Sequence, residues 1–272
     1  MPSPAYKGRV LFIHGYTQNS SVFYAKTSAL RKKLIKLGYK CVYLNGPCKL
    51  TPADLPSSDA LSKFSSVAPT DSEETGCRSW WTKLTQSNDG VLLEDAISTI
   101  KDYIKNNTVI EDDDLKQDLT EDHKLPVMGV VGFSQGAALA GVLMSQFHHL
   151  LGPGLQFVVL YSGFKLDTSK KSGNEHYAKY FQNKRNPQDS FKVLHVLGEL
   201  DTVVSEDRSM ALYEYAKEYS TILKHPGGHF VPNSKLYVEH VTNWICTDEK
   251  KEEKKEDDLD DLLDMMDNIG RA

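Results

Sequence analysis

Short apolar runs rich in β-branched residues alternate along this chain with segments whose apolar positions recur at helical spacing. The runs 9–14 (RVLFIH), 39–45 (YKCVYLN), 127–133 (VMGVVGF), 157–162 (FVVLYS) and 191–198 (FKVLHVLG) read as strands, with a short last strand at 221–224. Between them, 21–37, 89–104, 135–147, 206–219 and 231–246 read as helices. The first stops at Gly38, and the second sets Leu93, Ile97, Ile100 and Ile104 on one face. The strand runs are continuously apolar rather than alternating, so both of their faces are buried. That predicts an α/β domain over 1–246, with a mostly parallel sheet flanked by helices on both faces. Ligands of such sheets bind beyond the carboxyl ends of the strands, so chemistry belongs on the strand-to-helix loops.

Three polar stretches interrupt this rhythm: 48–79, 106–124 and 165–190, the last with a short helix expected at 176–181. The first and third follow strands and are placed to overhang a site. The second precedes a strand at its amino end and is expected to be plain surface. Charge separates the body from its end. Residues 247–272 hold 11 acidic and 5 basic residues, and the remainder holds 27 basic and 26 acidic. A neutral body lacks the basic field that nucleic-acid binding requires. No apolar run approaches the roughly 20 residues of a membrane helix, and 1–8 has no signal-peptide apolar region. Four cysteines (Cys41, Cys48, Cys77, Cys246) form no CxxC pair and are expected as reduced thiols of a cytoplasmic protein.

The most informative motif is Gly132-Phe133-Ser134-Gln135-Gly136, which follows a strand and opens a helix. A turn that tight needs small flanking residues, holds its serine in a strained conformation and projects the hydroxyl at a helix N-terminus. A serine nucleophile needs a base, and the base an orienting acid, here in the chain order Ser, acid, His. His229, in the glycine-hinged loop PGGHF after the last strand, is the candidate base. His225 is its competitor, four residues early at the strand end. His14 reads as a loop-supporting residue and His195 as core. Glu199 and Asp201 both follow the fifth strand. Asp201 is favoured, because it lies farther into the loop and its short side chain suits a buried bond to imidazole. An oxyanion hole needs two backbone N–H donors. Gln135 supplies one beside the nucleophile; Tyr16 is the candidate for the other in 14–19 (HGYTQN), with Thr17 next.

Four motifs in order, LFIHGYTQNS (11–20), GFSQGAALAG (132–141), GELDTVV (198–204) and HPGGHFVPNSK (225–235), resemble the fungal family of serine hydrolases. That family includes the ovarian-tumour-candidate serine hydrolase of animals. The likeness runs from about residue 7 to 244, and SALRKKLIKLGY also resembles the family's first helix. It implies a compact α/β-hydrolase fold, Ser134, Asp201 and His229 as the triad, and hydrolysis of carboxylic esters. It further implies no metal, no organic cofactor, and a cytoplasmic, also nuclear, location. Segments 106–124, 167–190 and the tail are longer than the family leads one to expect.

Trp80 and Trp81, with Tyr16, Phe23, Phe164 and Phe230, are candidates to wall an apolar acyl pocket, so apolar acyl esters are the expected small-molecule substrates. GFSQG also resembles the elbow of acyl-protein thioesterases and carboxylesterases, which keeps a thioesterase on acyl-protein or acyl-CoA as an alternative. A non-catalytic binding module on a hydrolase scaffold is the alternative of another class. There is no GxxxxGK[ST] or GxGxxG motif and no spaced His/Cys/carboxylate cluster. The segment 247–272 reads as an acidic, disordered tail. Within it Leu259, Leu262, Leu263, Met266 and Ile269 recur near helical spacing and offer a partner-binding helix.

Overall fold

The strands β1 (Gly8–Ile13), β2 (Tyr39–Leu44), β5 (Val127–Phe133), β6 (Phe157–Tyr161), β7 (Lys192–Gly198) and β8 (Ser220–His225) form one parallel sheet. Their order across it is β2-β1-β5-β6-β7-β8. The computed structural model describes residues 6–55, 76–84, 89–182, 186 and 188–247. The expected tail and its partner-binding helix, from 248 onward, lie outside the described residues. So do 56–75, 85–88, 183–185 and 187.

Alternate residues of each strand serve opposite layers. Leu11, Ile13, Val130 and Val158 face a core with α3 (Glu94–Asn106), α4 (Gln135–Leu143), α5 (Phe147–Leu151) and α7 (Glu206–Tyr215). Val10, Phe12, Val131 and Val159 face α1 (Ser20–Lys26), α2 (Ser28–Lys36) and α8 (Lys235–Cys246). Burial on both faces is what continuously apolar strands require, and it is the arrangement the sequence pattern predicts. Among the described residues, no helix is long and apolar enough to cross a membrane.

Several helix boundaries differ from expectation for local reasons. The first predicted helix is two, broken at Thr27, whose hydroxyl turns back onto the Phe23 carbonyl and the Tyr43 hydroxyl at 2.7 Å each. The helix expected over 231–246 starts at Lys235, since Val231 precedes Pro232 and is steered away from helical backbone. The helix expected over 135–147 tightens into a 3₁₀ turn at Met144–Gln146 before α5. α6 (Ala178–Gln182) follows a 3₁₀ turn at Glu175–Tyr177, close to the short helix expected there.

The segment 106–124 is not plain surface. Gln117 takes the Tyr43 N–H at 2.9 Å and donates to the Tyr43 carbonyl at 2.8 Å, so it covers the free edge of β2. Asp112 accepts from Ser20 Oγ and the Ser21 N–H at the start of α1. Buried Asp122 accepts the Tyr103 hydroxyl and pairs with Lys40. A polar segment that lies against unpaired strand groups satisfies them, and that role leaves no periodic signature. The 48–79 loop begins and ends in an antiparallel ribbon, β3 (Cys48–Lys49) with β4 (Arg78–Ser79), which returns the chain to the sheet's carboxyl edge.

Candidate active site

The carboxyl edge brings together the ends of four strands. Ser134 follows β5 directly, with φ 51° and ψ −114°, a conformation that L-residues rarely adopt. The turn is held by the Ser134 N–H to the Tyr161 carbonyl at 2.9 Å and by close helix-to-strand packing. A Cβ built on Gly136 would lie 2.2 Å from the Ile13 carbonyl oxygen, so only glycine lets α4 start against β1.

His229 Nε2 lies 2.9 Å from Ser134 Oγ, and His229 Nδ1 lies 2.8 Å from Asp201 Oδ2. The loops that carry Asp201 and His229 touch backbone to backbone: a Cβ on Gly198 would meet the Gly228 carbonyl oxygen at 2.4 Å. The other Asp201 oxygen accepts the Val203 and Val204 N–H groups at 2.9 Å each. Burial alone would push this carboxyl up. The hydrogen bonds from His229, Val204 and Val203 outweigh it and hold the group below the usual carboxylate range. Glu199 points to solvent. His225 is buried against Phe230 and Tyr237, with its Nδ1 accepting the Gly227 N–H at 3.2 Å, so it braces the loop that presents His229.

The loop after β1 abuts Ser134, because a Cβ on Gly15 would lie 3.4 Å from Ser134 Cβ. His14 is wholly buried. It accepts the Gly46 N–H at Nε2 (2.9 Å), which leaves Nδ1 to donate to the Gly15 carbonyl (2.7 Å). It is the loop support the sequence suggests, and burial pushes its pKa down to about 4. Tyr16 donates its hydroxyl to the Asp54 carbonyl at 2.7 Å, and Thr17 turns the chain at φ 62°. Gln135 is the first residue of α4, so its N–H is one that a helix leaves without an intrahelical acceptor. Its side chain clamps the next segment, taking the Trp80 N–H and donating to the Trp81 carbonyl at 2.8 Å each.

A cleft of about 1320 Å³ opens over Ser134 and Gln135. Tyr16, Trp81, Val91, Phe164 and Leu166 line it. Three of the aromatic residues proposed for its wall lie elsewhere. Trp80 is fully buried and donates Nε1–H to the His14 carbonyl at 2.9 Å. Phe23 is fully buried against Phe12 and Tyr43. Phe230 is 39% exposed and covers Gly227 and His225 on the outer side of the His229 loop. The sequence reading missed Asn174. This buried amide accepts the Val91 N–H (2.9 Å) and donates to the Asp89 (2.9 Å) and Asp167 (3.1 Å) carbonyls, joining two walls of the cleft. An asparagine in a polar loop carries no sequence signal of such a role. Among the described residues, no cluster of three or more His, Cys, Asp or Glu is placed to hold a metal ion.

Known proteins resemble this chain at two levels, in sequence and in fold. A family model described as serine hydrolase (FSH1) matches residues 3–241. "Family of serine hydrolases 3" of Saccharomyces cerevisiae is 36% identical over 260 residues, covering 90% of this chain and 86% of that protein. "Esterase OVCA2" of Danio rerio is 31% identical, covering 82% and 90%. Among solved structures, Arabidopsis thaliana SOBER1 superposes with a TM-score of 0.53 at 15% identity, covering 88% of this chain and 97% of that one. A Bacillus cereus carboxylesterase gives 0.51 at 14% identity, covering 88% and 87%. At those identities the structural likeness speaks to the α/β-hydrolase fold.

Proposed function

The chain belongs to the serine hydrolase (FSH1) family, and from that membership we propose that it cleaves carboxylic esters with Ser134 as nucleophile, His229 as base and Asp201 as orienting acid. The continuous hydrogen-bonded line from Ser134 Oγ through His229 to Asp201, 2.9 and 2.8 Å, carries this reading.

In this mechanism Ser134 Oγ attacks the ester carbonyl while His229 Nε2 takes its proton. Asp201 holds the imidazole with Nδ1 protonated and stabilises the imidazolium that forms. The N–H groups of Gln135 and Tyr16 stabilise the oxyanion. His229 then protonates the departing alcohol. Water, deprotonated by the same base, attacks the acyl-serine and releases the acid. The apolar stretch of the cleft, Trp81, Val91, Phe164 and Leu166, favours acyl chains longer than acetyl.

The test combines fluorophosphonate labelling, read by intact mass, with turnover of p-nitrophenyl esters. We expect one adduct on the wild type and none on Ser134→Ala, with turnover of the variant reduced at least about 10⁴-fold. Equal labelling of the two proteins would place the nucleophile elsewhere. An acetate-favouring profile would remove the apolar acyl preference. Matched oxyester and thioester substrates distinguish an esterase from a thioesterase, because both reactions use the same three side chains.

A further inference from the structure

Beside the cleft, and sharing Val204 with it, lies a second cavity of about 270 Å³. Its lining is polar: Ser162, Gly198, Asp201 and Ser209, with the Lys224–Glu206 ion pair. Two observations single out Ser162. Its backbone sits at φ 46°, a left-handed conformation costly for any residue with a Cβ. Its Oγ is buried with no hydrogen-bond partner among the described residues, although the side chain is only 1% exposed. Strain of this kind persists only where the surroundings enforce it, and a buried unpaired hydroxyl is destabilising. Both unfavourable features fall on one residue, next to the acid of the site.

Asp201 has the complementary need. A carboxylate offers about four acceptor positions. Val203, Val204 and His229 fill three of them, leaving one beside the bond to His229. The cavity has room for several waters, each with a share of about 30 Å³ in the liquid, and its walls supply the polar partners that a buried water requires.

We propose that this cavity is a water site, in which bound water bridges the Ser162 hydroxyl to the open acceptor position of Asp201. Ser162 is thereby a positioning residue that fixes the carboxylate plane against His229. Ser162 directly follows β6, which lies in the sheet between β5, the strand before Ser134, and β7, the strand before Asp201. The inference rests on Asp201 being the orienting acid.

Two substitutions separate the hydroxyl from the backbone. Ser162→Gly removes the hydroxyl and relieves the strain. Ser162→Ala removes the hydroxyl and keeps the strain. In both, kcat is expected to fall about tenfold with KM unchanged, as for the loss of one hydrogen bond of ordinary strength at the acid. Ser162→Gly should also melt about 2–4 °C higher than Ser162→Ala, so activity and stability part company. The downfield proton resonance of the His229–Asp201 hydrogen bond should shift in both. A kcat within twofold of wild type in either variant, or an unmoved resonance, overturns the inference. Asp201→Asn is the control. If it is inactive while the Ser162 variants are normal, only the water site fails; if it is fully active, the assignment of Asp201 fails with it.

Discussion

Replacing Asn174 by alanine should loosen one wall of the cleft without touching Ser134. The side chain is completely buried and makes three hydrogen bonds, one to the Val91 N–H and two to the carbonyls of Asp89 and Asp167. At about 1 kcal/mol each, their loss amounts to roughly 3 kcal/mol, since methyl cannot pair the groups left behind. For a domain of this size each kcal/mol lowers Tm by about 2–4 °C, so a drop of about 6–12 °C is expected. The functional consequence is selective. Val91 and Leu166 lie on the wall that Asn174 ties down, whereas Ser134, His229 and Asp201 hang from β5, β8 and β7. If the wall's contact with one or two methylenes is lost, KM for a p-nitrophenyl octanoate rises roughly four- to fifteenfold, at about 0.8 kcal/mol per methylene. The acetate ester, too short to reach it, keeps its kcat/KM within twofold. Thermal melting and a chain-length series measure both effects. An unchanged Tm would refute the energetic argument; acetate losing as much as octanoate would refute the assignment of the wall.

We predict an acid-sensitive fold. Burial pushes His14 and His195 down to about 4, below the 6.5 of the unfolded chain, so the unfolded state takes up protons first. Stability is therefore full above pH 6.5 and drains as pH falls toward 4, by about 3–4 kcal/mol between pH 7 and 5 for the pair. Urea midpoints at those two values test this, and equal midpoints would show that the two rings are not held neutral. Gln117→Ala should cost about 1–2 kcal/mol by uncovering the edge of β2, with esterase constants unchanged; a loss of activity comparable to the loss of stability would mean that 106–124 reaches the site.

What was legible in the sequence follows from how far apart in the chain the cooperating groups lie. The inner strands were readable because each buries two faces and so announces itself as a continuous apolar run; the edge strand β8 (STILKH) is half exposed and gave only the short reading 221–224. Ser134, Asp201 and His229, the residues proposed for the reaction, could be singled out although they are far apart, because each sits in a local frame of its own: a glycine-flanked turn, a Gly-Glu-Leu-Asp strand exit, a Pro-Gly-Gly-His loop. The fold then brings those frames to one edge without further instruction. The aromatic wall was only half legible. Trp80 and Trp81 are neighbours that differ in place: the Trp80 ring is buried with its Nε1–H on the His14 carbonyl, 66 residues away, while Trp81 lines the cleft. The same holds for Asn174, whose bonds to Val91 and Asp89 span 83 and 85 residues, and for Gln117, whose bonds to Tyr43 span 74; the groups they meet are backbone, which carries no side-chain identity to read.

This division has a consequence for substrate choice. The groups proposed for bond cleavage are anchored by strands and by short-range turns. Part of the cleft wall is instead held by single side chains such as Asn174, which reach across from segments that break the α/β rhythm. A substitution at such a bridge can reshape the acyl side of the cleft while the line from Ser134 to Asp201 stays intact. Changes in acyl preference are therefore expected from 89–93 and 165–177 before any change in the reaction itself. An exchange of 165–177 that altered kcat equally for every ester would contradict that separation.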